Sequence, residues 1–442
     1  SRTGRVAGIE FLSLDEDRRP LIVGERTNVI GSRKFKELVR AGEWERAAEI
    51  GRAQVAGGAH ILDVCLADPD RDEGSDTEHL LRALARKVRV PLMIDSTDAA
   101  VIERALTLVP GKPLINSINL EDGEERFRKV VPLARRYGAA LVVGCIDEDP
   151  VQGMAVTAAR KLAIARREYD LLTGPYGVPP TDLVFDPLVF PCASGDANYR
   201  GSARETIEGV RAIKRELPGV KTLLGISNVS FGLPPAGREV LNSVFLHECT
   251  EAGLDLAIVN SEKIVRFASI PEAEREAALD LLYDRVPAGE AGPDAVARFA
   301  ALFRDERPKG RDAGGTDVPL EYRLIRRIVE ARREGLEADL EEALSRYTPL
   351  DVINGPLLDG MNEVGRLFAA NELIVAEVLQ SAQVMKAAVS YLEGYMEHGA
   401  EAKKGTVVLA TVKGDVHDIG KNLVGILLAN NGFKVVDLGI NT

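Results

Sequence analysis

Eight Asp or Asn residues recur along the first 260 residues, each at the end of a short apolar run or just after it. A ring of carboxylates and side-chain amides, with little positive charge among them, would repel a phosphorylated substrate. The same groups suit a neutral heterocycle with several N–H donors, because a carboxylate accepts two parallel hydrogen bonds and an amide both donates and accepts. Any one of them could instead cap a helix or form a turn, but eight together favour a shared site. The eight residues are Asn28, Asp63, Asp95, Asn116, Asp147, Asp186, Asn228 and Asn260.

A second candidate site lies near the end of the chain, in the segment GDVHDIGKN. Asp415, His417 and Gly420 follow one apolar run and precede another. A histidine in such a loop can bind a metal while a carboxylate holds its second ring nitrogen. The bare pattern Asp-x-His-x-x-Gly is short, so an ordinary turn is the alternative.

Short apolar runs alternate with longer amphipathic stretches between residues 21 and 260. The runs, such as LIVGERTN, PLMIDST and DLVFDPLVF, are rich in Val, Ile and Leu and lack polar alternation, which is typical of buried parallel strands. Eight strand and helix units in roughly 240 residues predict a closed (β/α)8 TIM barrel over residues 1–285. Since chemistry in such a barrel lies at the carboxyl ends of the strands, we expect the eight polar residues to meet at one mouth.

The remainder of the chain predicts two smaller parts. Residues 286–318 are rich in Gly, Pro and charge and are expected to form a linker. Residues 319–397 have helical periodicity throughout, which predicts a small helical bundle. A second linker, 398–404, leads to residues 405–442, where a strand, the histidine loop, a helix and a second strand predict the start of a doubly wound α/β domain. The chain starts without a methionine and stops soon after this strand, so we expect both ends to be cut.

Composition argues against several classes of protein. The chain has 68 acidic and 56 basic residues, a net charge of -12 and no basic run, which disfavours nucleic-acid binding. The four cysteines are widely spaced, which predicts neither a disulfide framework nor a zinc site and favours a reducing compartment. We find no signal peptide and no apolar run of the roughly 18 residues needed to cross a bilayer. A cytoplasmic enzyme acting on a small molecule fits best.

Several segments carry a resemblance to a known family. GERTNVIGS, GAHILDVCLADP, PLMIDST, NSINLEDGEERF, FDPLVFP and ISNVSFGLP resemble, in this order, the folate-binding barrel of cobalamin-dependent methionine synthases. The wider relatives of that family include other pterin-binding methyltransferases and dihydropteroate synthase. The resemblance covers most of residues 8–265, and a pterin ring has the donor-rich edge inferred above.

The resemblance implies roles for four residues of the mouth. Asp95, Asn116 and Asp186 match the residues that hold the pterin, and Asn228 matches the one near the methylated nitrogen. That nitrogen leaves poorly unless it gains a proton or a strong hydrogen bond as the methyl departs. Asn228 is therefore expected to polarise the leaving amine and Asp95 to anchor the ring, so that both count as catalytic.

Other mouth residues match the family less directly. Glu25, Asn28 and Asp63 correspond to positions that line the same mouth and are expected to bind folate. The loop of Asp147, GCIDEDPVQG, departs from the family's usual loop, so no role is assigned to it. Asn260 stands at a strand end, where helix capping is an equal alternative.

The helical stretch LDGMNEVGRLFAANELIVAEVLQSAQVMKAA resembles the cap that covers the upper face of cobalamin in this family. The resemblance implies that Phe368 and Val375 pack over the methyl group on cobalt, Val375 standing where Leu is usual. The alternative is that the apolar residues of this stretch only fill a bundle core.

Beside such a cap, the resemblance implies a role for the histidine loop. It implies that His417 is the lower cobalt ligand of methylcobalamin, that Asp415 bonds its second nitrogen, and that Gly420 makes room for the nucleotide tail.

These resemblances imply a methyltransferase segment for methionine biosynthesis. It would move the methyl group of methyltetrahydrofolate to cob(I)alamin, for later delivery to homocysteine. A homocysteine module with its zinc and an adenosylmethionine module are expected in the full-length protein, and the protein is expected to be a monomer. The alternatives are a pterin-dependent methyltransferase of another corrinoid pathway and a non-catalytic corrinoid carrier. Dihydropteroate synthase is disfavoured because it binds a pyrophosphate ester, for which the mouth offers little positive charge.

Overall fold

The structure is a computed structural model. It describes residues 4–14, 19–194, 196–285, 295–303, 319–370, 373, 375–395, 405–410, 425, 428 and 434–438. The chain divides into two compact units, the first built mainly from residues up to 309 and the second from those that follow. No helix in these ranges has both the length and the apolar composition needed to cross a membrane.

Eight parallel strands close into a barrel in the first unit, each pairing with its neighbours in chain order and the last pairing with the first. This confirms the predicted fold class. A short antiparallel hairpin, β1 (Arg5–Ala7) and β2 (Phe11–Ser13), precedes the barrel. The barrel strands are β3 (Leu21–Gly24), β4 (Ile61–Val64), β5 (Leu92–Asp95), β6 (Leu114–Ile118), β7 (Ala140–Gly144), β8 (Leu183–Asp186), β9 (Lys221–Gly225) and β10 (Leu256–Val259).

Apolar side chains fill one end of the barrel and leave the other end to polar groups. Val23, Met93 and Val142 belong to a buried cluster made of residues from the barrel strands. Val6 and Leu12 of the hairpin join the same cluster, so the hairpin closes the amino-terminal end of the barrel. The carboxyl-terminal end is therefore the one that can hold a ligand.

Amphipathic helices surround the barrel and bury their apolar faces against the strands. Side chains at several helix starts accept the first free backbone N–H groups, as Asp72, Asp98 and Thr157 do. The helices are α1 (Arg33–Arg40), α2 (Trp44–Ala56), α3 (Glu73–Leu84), α4 (Ala99–Leu106), α5 (Glu125–Tyr137), α6 (Ala158–Thr173), α7 (Ser202–Glu216), α8 (Pro235–Glu251), α9 (Glu272–Leu282) and α10 (Ala295–Leu302).

Helix α10 corrects part of the domain prediction. It lies inside 286–318, which composition assigned to a linker. Phe299 and Phe303 are buried in the cluster that also contains apolar residues of α8 and α9. A short apolar run, AVARFAALF, therefore belongs to the barrel unit, because burying two phenylalanines outweighs the Gly and Pro content around it.

The second unit begins with helices, as predicted. Helix α14 follows a single π turn at Ile353–Leu357 and packs closely on α11, since a Cβ at Gly360 would lie 2.7 Å from Cβ of Ile328. The helices are α11 (Leu320–Val329), α12 (Leu336–Leu344), α13 (Pro349–Val352), α14 (Leu358–Ala369) and α15 (Val375–Glu393).

Two further strands, β11 (Thr406–Leu409) and β12 (Lys434–Asp437), pair in parallel. Residues 425 and 428 between them are helical. A strand, helix and parallel strand in this order agree with the predicted start of an α/β domain.

Candidate active site at the barrel mouth

The ends of neighbouring strands bring the predicted polar residues side by side. In the strand register, Asp95 pairs with Asn116 and Gly144 pairs with Asp186. Asn28 forms a parallel bridge with Cys65, just beyond the ends of β3 and β4. The mouth predicted from the sequence is therefore a real feature of the barrel.

Asn28, Asp63 and Asp95 form the centre of the mouth. The amide nitrogen Nδ2 of Asn28 donates to Oδ2 of Asp63 at 2.9 Å and lies 3.5 Å from Oδ2 of Asp95. The Asn28 oxygen accepts the backbone N–H groups of Ile30 and Gly31 at 2.8 and 3.2 Å, which fixes the orientation of the amide. Asp63 is 2% exposed, and its Oδ1 is buried without a hydrogen-bond partner among the described residues. An unpartnered buried oxygen at this place suits a ligand that donates an N–H.

Burial and the proximity of the two carboxyl groups raise the pKa of Asp63 more than that of Asp95. Burial, with the nearby Asp95 carboxylate adding to it, raises the pKa of Asp63 to about 8. Burial raises the pKa of Asp95 to about 6, and the thiol of Cys65 beside it acts in the opposite direction. At neutral pH the coupled pair therefore shares about one proton and carries about one negative charge.

Cys65 and Ser227 are two mouth residues that the sequence analysis did not single out, although both lie in quoted segments. Burial raises the pKa of the Cys65 thiol to about 12, so the thiol stays neutral beside Asp95. The hydroxyl of Ser227 lies 3.4 Å from both carboxylate oxygens of Glu25. Burial raises the pKa of Glu25, and Ser227 partly offsets this effect.

Asp186 lies at the end of β8, half-buried, and its Oδ1 accepts the backbone N–H of Leu188 at 2.9 Å. Burial raises its pKa to about 6. Asp186 therefore resembles Asp95 in charge state, and both offer a carboxylate to the mouth near neutral pH.

Asn228 lies in a short 3-10 turn, Ile226–Ser230, that follows β9. Its side chain is exposed and makes no hydrogen bond to any residue that the structure describes. A Cβ at Gly225 would lie 3.1 Å from Nδ2 of Asn228, so the glycine leaves room for this amide. The amide is thus available to a ligand.

Two of the eight strand-end residues are engaged elsewhere. Both oxygens of Asp147 lie 2.6 Å from the guanidinium of Arg160. The oxygen of Asn260 accepts the N–H of Glu262 at 3.2 Å and caps a short turn. Six strand-end residues and Glu25 therefore surround the centre of the mouth, while Asn260 caps a turn and also lines the cleft beside Glu25.

Arg126, at the start of α5, fastens the loops that follow β5 and β6. Its guanidinium donates to the carbonyl oxygens of Ser96 at 2.7 Å, Ser117 at 3.2 Å and Thr97. Ser96 directly follows Asp95, Thr97 is the next residue, and Ser117 directly follows Asn116. Arg126 was missed because nothing in its sequence context distinguishes it from the many exposed arginines of these helices.

A cleft of about 260 Å³ opens beside Glu25 and Ser227. Arg26, Arg238 and Lys263 contribute to its wall, in contrast to the acidic centre of the mouth. The cleft could therefore hold an anionic group attached to a neutral ring.

The cobalamin residues predicted from the sequence are only partly described. Phe368 lies near the end of α14 with 44% of its side chain exposed, whereas Leu373 and Met385 are buried. Val375 begins α15. The predicted cobalt-binding loop, Asp415, His417 and Gly420, lies outside the described residues. Within the part of the chain that is described, no three His, Cys, Asp or Glu side chains are grouped to hold a metal.

A (β/α)8 barrel with carboxylates and amides around its mouth has the architecture of enzymes that bind small molecules at the carboxyl ends of their strands. Residues 24–260 match the family model described as "Pterin binding enzyme", and the chain belongs to this family. Residues 320–393 match the model of a "B12 binding domain".

Similar proteins extend these matches over nearly the whole chain. Methionine synthase of Mycobacterium tuberculosis is 46% identical over 433 residues, which are 96% of this chain and 36% of that protein. Methionine synthase of Mycobacterium leprae is 46% identical over 432 residues, which are 95% of this chain and 35% of that protein. The chain thus spans about a third of the length of these curated relatives. A solved dihydropteroate synthase of Xanthomonas albilineans matches with a TM-score of 0.43 and 20% identity, over 59% of this chain and 93% of that one.

Proposed function

We propose that this chain binds methyltetrahydrofolate in the barrel mouth and transfers its methyl group to cob(I)alamin. The observation that carries the proposal is the cluster of Asn28, Asp63 and Asp95, with its buried and unpartnered oxygen. The pterin-binding family, the B12 binding domain and the similarity to methionine synthases support it.

The centre of the mouth would hold the pterin through its N–H donors. Asp95 and Asp186 offer carboxylates that accept such bonds, and Asn28 and Asn116 can both donate and accept. Asp63 can donate while it holds its proton or accept after losing it. The more basic cleft beside Glu25 suits the carboxylates of the folate tail, which Arg26, Arg238 and Lys263 would face.

Asn228 would act on the leaving nitrogen. Its amide is exposed and unpaired within the described residues, so it can donate a hydrogen bond that strengthens as the methyl leaves. Removing such a bond slows the chemical step more than it weakens binding of the ground state.

The second unit would serve the corrinoid. When bound, cob(I)alamin supplies the nucleophile that accepts the methyl group. Phe368 fits a cap, since an aromatic ring that is 44% exposed can cover an apolar face of a ligand. Val375 would also cover the methyl group, His417 would bind cobalt while Asp415 holds its second ring nitrogen, and Gly420 would accommodate the nucleotide tail.

The setting of this reaction is also proposed from the relatives. In a longer protein of the methionine synthase type, separate modules would bring homocysteine, with zinc, and adenosylmethionine to the same corrinoid. A cytoplasmic location and a monomeric state fit that role.

Single-turnover transfer to free cob(I)alamin tests the proposal. We expect Asn228→Ala to slow transfer by about 100-fold while changing methyltetrahydrofolate affinity less than threefold. We expect Asp95→Asn to weaken binding instead. If the wild-type chain binds no methyltetrahydrofolate, the enzyme proposal fails and a corrinoid carrier becomes the better explanation.

A further inference from the structure

A lysine with no exposed surface lies beneath the loop that carries Asp186. Lys161, on α6, donates through Nζ to the carbonyl oxygens of Ala155 at 2.8 Å, Leu188 at 3.1 Å and Pro187. An ammonium group has three donors, so all of them are used. Lysine is rarely buried without a strong reason, and here every bond goes to backbone.

The surroundings of Lys161 are built for a cation. Its Nζ lies 5.1 Å from the centre of the Phe190 ring, within cation–π range. A Cβ at Gly209 would lie 2.7 Å from Cδ of Lys161, so the glycine provides space for the aliphatic stem. Burial lowers the pKa of Lys161 to about 8, and the groups that oppose this are Cys145, Asp186 and Glu205.

Leu188 connects the ammonium to the carboxylate. Its backbone has a φ of 68°, a conformation uncommon for a residue with a side chain. Its carbonyl accepts from Lys161 and from the hydroxyl of Thr206 at 3.0 Å, while its N–H donates to Asp186. One residue therefore transmits the position of Lys161 to Asp186.

We propose that Lys161 is a positioning residue for pterin binding, which fixes the loop at 187–190 and supplies the positive charge that Asp186 faces. It does not line the mouth and acts on the ligand only through Asp186. The proposal rests on the pterin-binding function proposed above.

Loss of the Lys161 ammonium should change the pH range over which the pterin binds. Lys161 lowers the pKa of Asp186, against the burial that raises it. Loss of the ammonium should therefore raise that pKa further, so that Asp186 accepts a proton at higher pH. The other titratable groups facing this pair are Cys145, just after β7, and Glu205 on α7, and Glu168 of α6 faces Cys145. Burial raises the pKa of both Cys145 and Glu168 well above their usual ranges, so the Cys145 thiol stays neutral near pH 6.

Titration of the 442-residue chain with methyltetrahydrofolate from pH 5 to 9 tests the proposal. We expect Lys161→Met to lose about tenfold in affinity at pH 7 and to shift the acid limit of binding to higher pH. Thr206→Val removes a different bond to Leu188 without changing charge, so it should weaken binding equally at all pH values. Lys129→Met, at an exposed lysine, should bind as wild type does.

A Lys161→Met variant with wild-type affinity and pH profile would overturn the inference, as would one that behaves like Thr206→Val. If Lys161→Met does not fold, the ammonium signal of Lys161 in a ¹⁵N-lysine-labelled chain gives the answer. In Asp186→Asn, the pKa of Lys161 should fall below its wild-type value because the anion is gone, and an unchanged pKa contradicts the proposal. Failure of the wild-type chain to bind would instead reject the proposed function.

Discussion

The side-chain amide of Asn28 donates to Asp63 across 2.9 Å, although Asn28 follows β3 and Asp63 lies in β4. The same nitrogen lies 3.5 Å from Asp95, so a single amide stands between two acids. The two carboxyl groups share this donor, so some of their oxygens can still accept hydrogen bonds. Oδ1 of Asp63 is buried and has no partner among the described residues. A ligand with several N–H groups would satisfy what the protein leaves open.

Binding of methyltetrahydrofolate should weaken as the pH falls through about 6. The pKa values of Asp95 and Asp186 are raised to about 6, and the ionised form of each is the one that accepts N–H bonds. Below that pH both acids take up protons and stop accepting at one oxygen. Calorimetric titration between pH 5 and 8 measures this, and an affinity independent of pH would show that neither carboxylate binds the ring.

Asp63→Asn should stabilise the ligand-free chain while weakening pterin binding. The pKa of Asp63 is raised in the folded state, so the folded chain binds this proton more tightly than the unfolded chain. Stability therefore falls as the pH rises from about 4 to about 8. We expect a gain of about 1–3 kcal/mol in the free energy of unfolding at pH 8 and little gain at pH 4. Urea unfolding at the two pH values checks this, and an equal effect at both would contradict it.

Arg126→Met should weaken pterin binding by about tenfold, because the loops bearing Asp95 and Asn116 lose three hydrogen bonds from one guanidinium. Arg128→Met on the same helix is the matched control, since Arg128 is exposed. Both variants remove one positive charge. Equal affinities in the two variants would show that Arg126 has no special part in positioning the mouth.

Asp255→Asn should destabilise the barrel without touching the site. Asp255 is 3% exposed at the amino-terminal end, where it accepts from Arg19 at 3.0 Å and from Lys214 and the N–H of Thr222, both at 2.9 Å. Asn in its place removes the negative charge that faces Arg19, Lys214 and Lys221, at a cost of about 3 kcal/mol. Asp182→Asn breaks a more exposed pair with Lys112 and should cost less than about 1 kcal/mol.

Denaturant unfolding compares these two variants, and methyltetrahydrofolate affinity should stay at the wild-type level in both. A loss of affinity in folded Asp255→Asn would mean that the two ends of the barrel are coupled.

The barrel and the centre of its mouth could be predicted from the sequence. Buried parallel strands are continuous apolar runs, so the residues that end them, such as Asp63, Asp95 and Asn116, can be placed at one face of the barrel from the sequence alone. The hydrogen-bond and ion-pair partners of the polar residues were harder to predict. Arg160 takes Asp147 away from the mouth, and Arg126 reaches three carbonyl groups, because contacts of this kind depend on loop geometry that carries no periodic signal.

The linker prediction was wrong at residues 295–303 for a similar reason. Gly and Pro around Phe299 indicated a connection between domains, but two aromatic side chains found a buried position against the barrel helices. The proposed ligand came from neither pattern nor periodicity. It followed from the order of several matching segments, which composition alone could not supply.

The most direct test of the account is one turnover of the 442-residue chain mixed with methyltetrahydrofolate and cob(I)alamin under anaerobic conditions, followed by visible absorbance. The account predicts that the cob(I)alamin spectrum is replaced by that of methylcobalamin, rapidly with wild type and with Asp122→Asn, an exposed acid control. With Asn228→Ala we expect the rate to fall by about 100-fold. Absence of methylcobalamin with wild type, under conditions where methyltetrahydrofolate is bound, would contradict it.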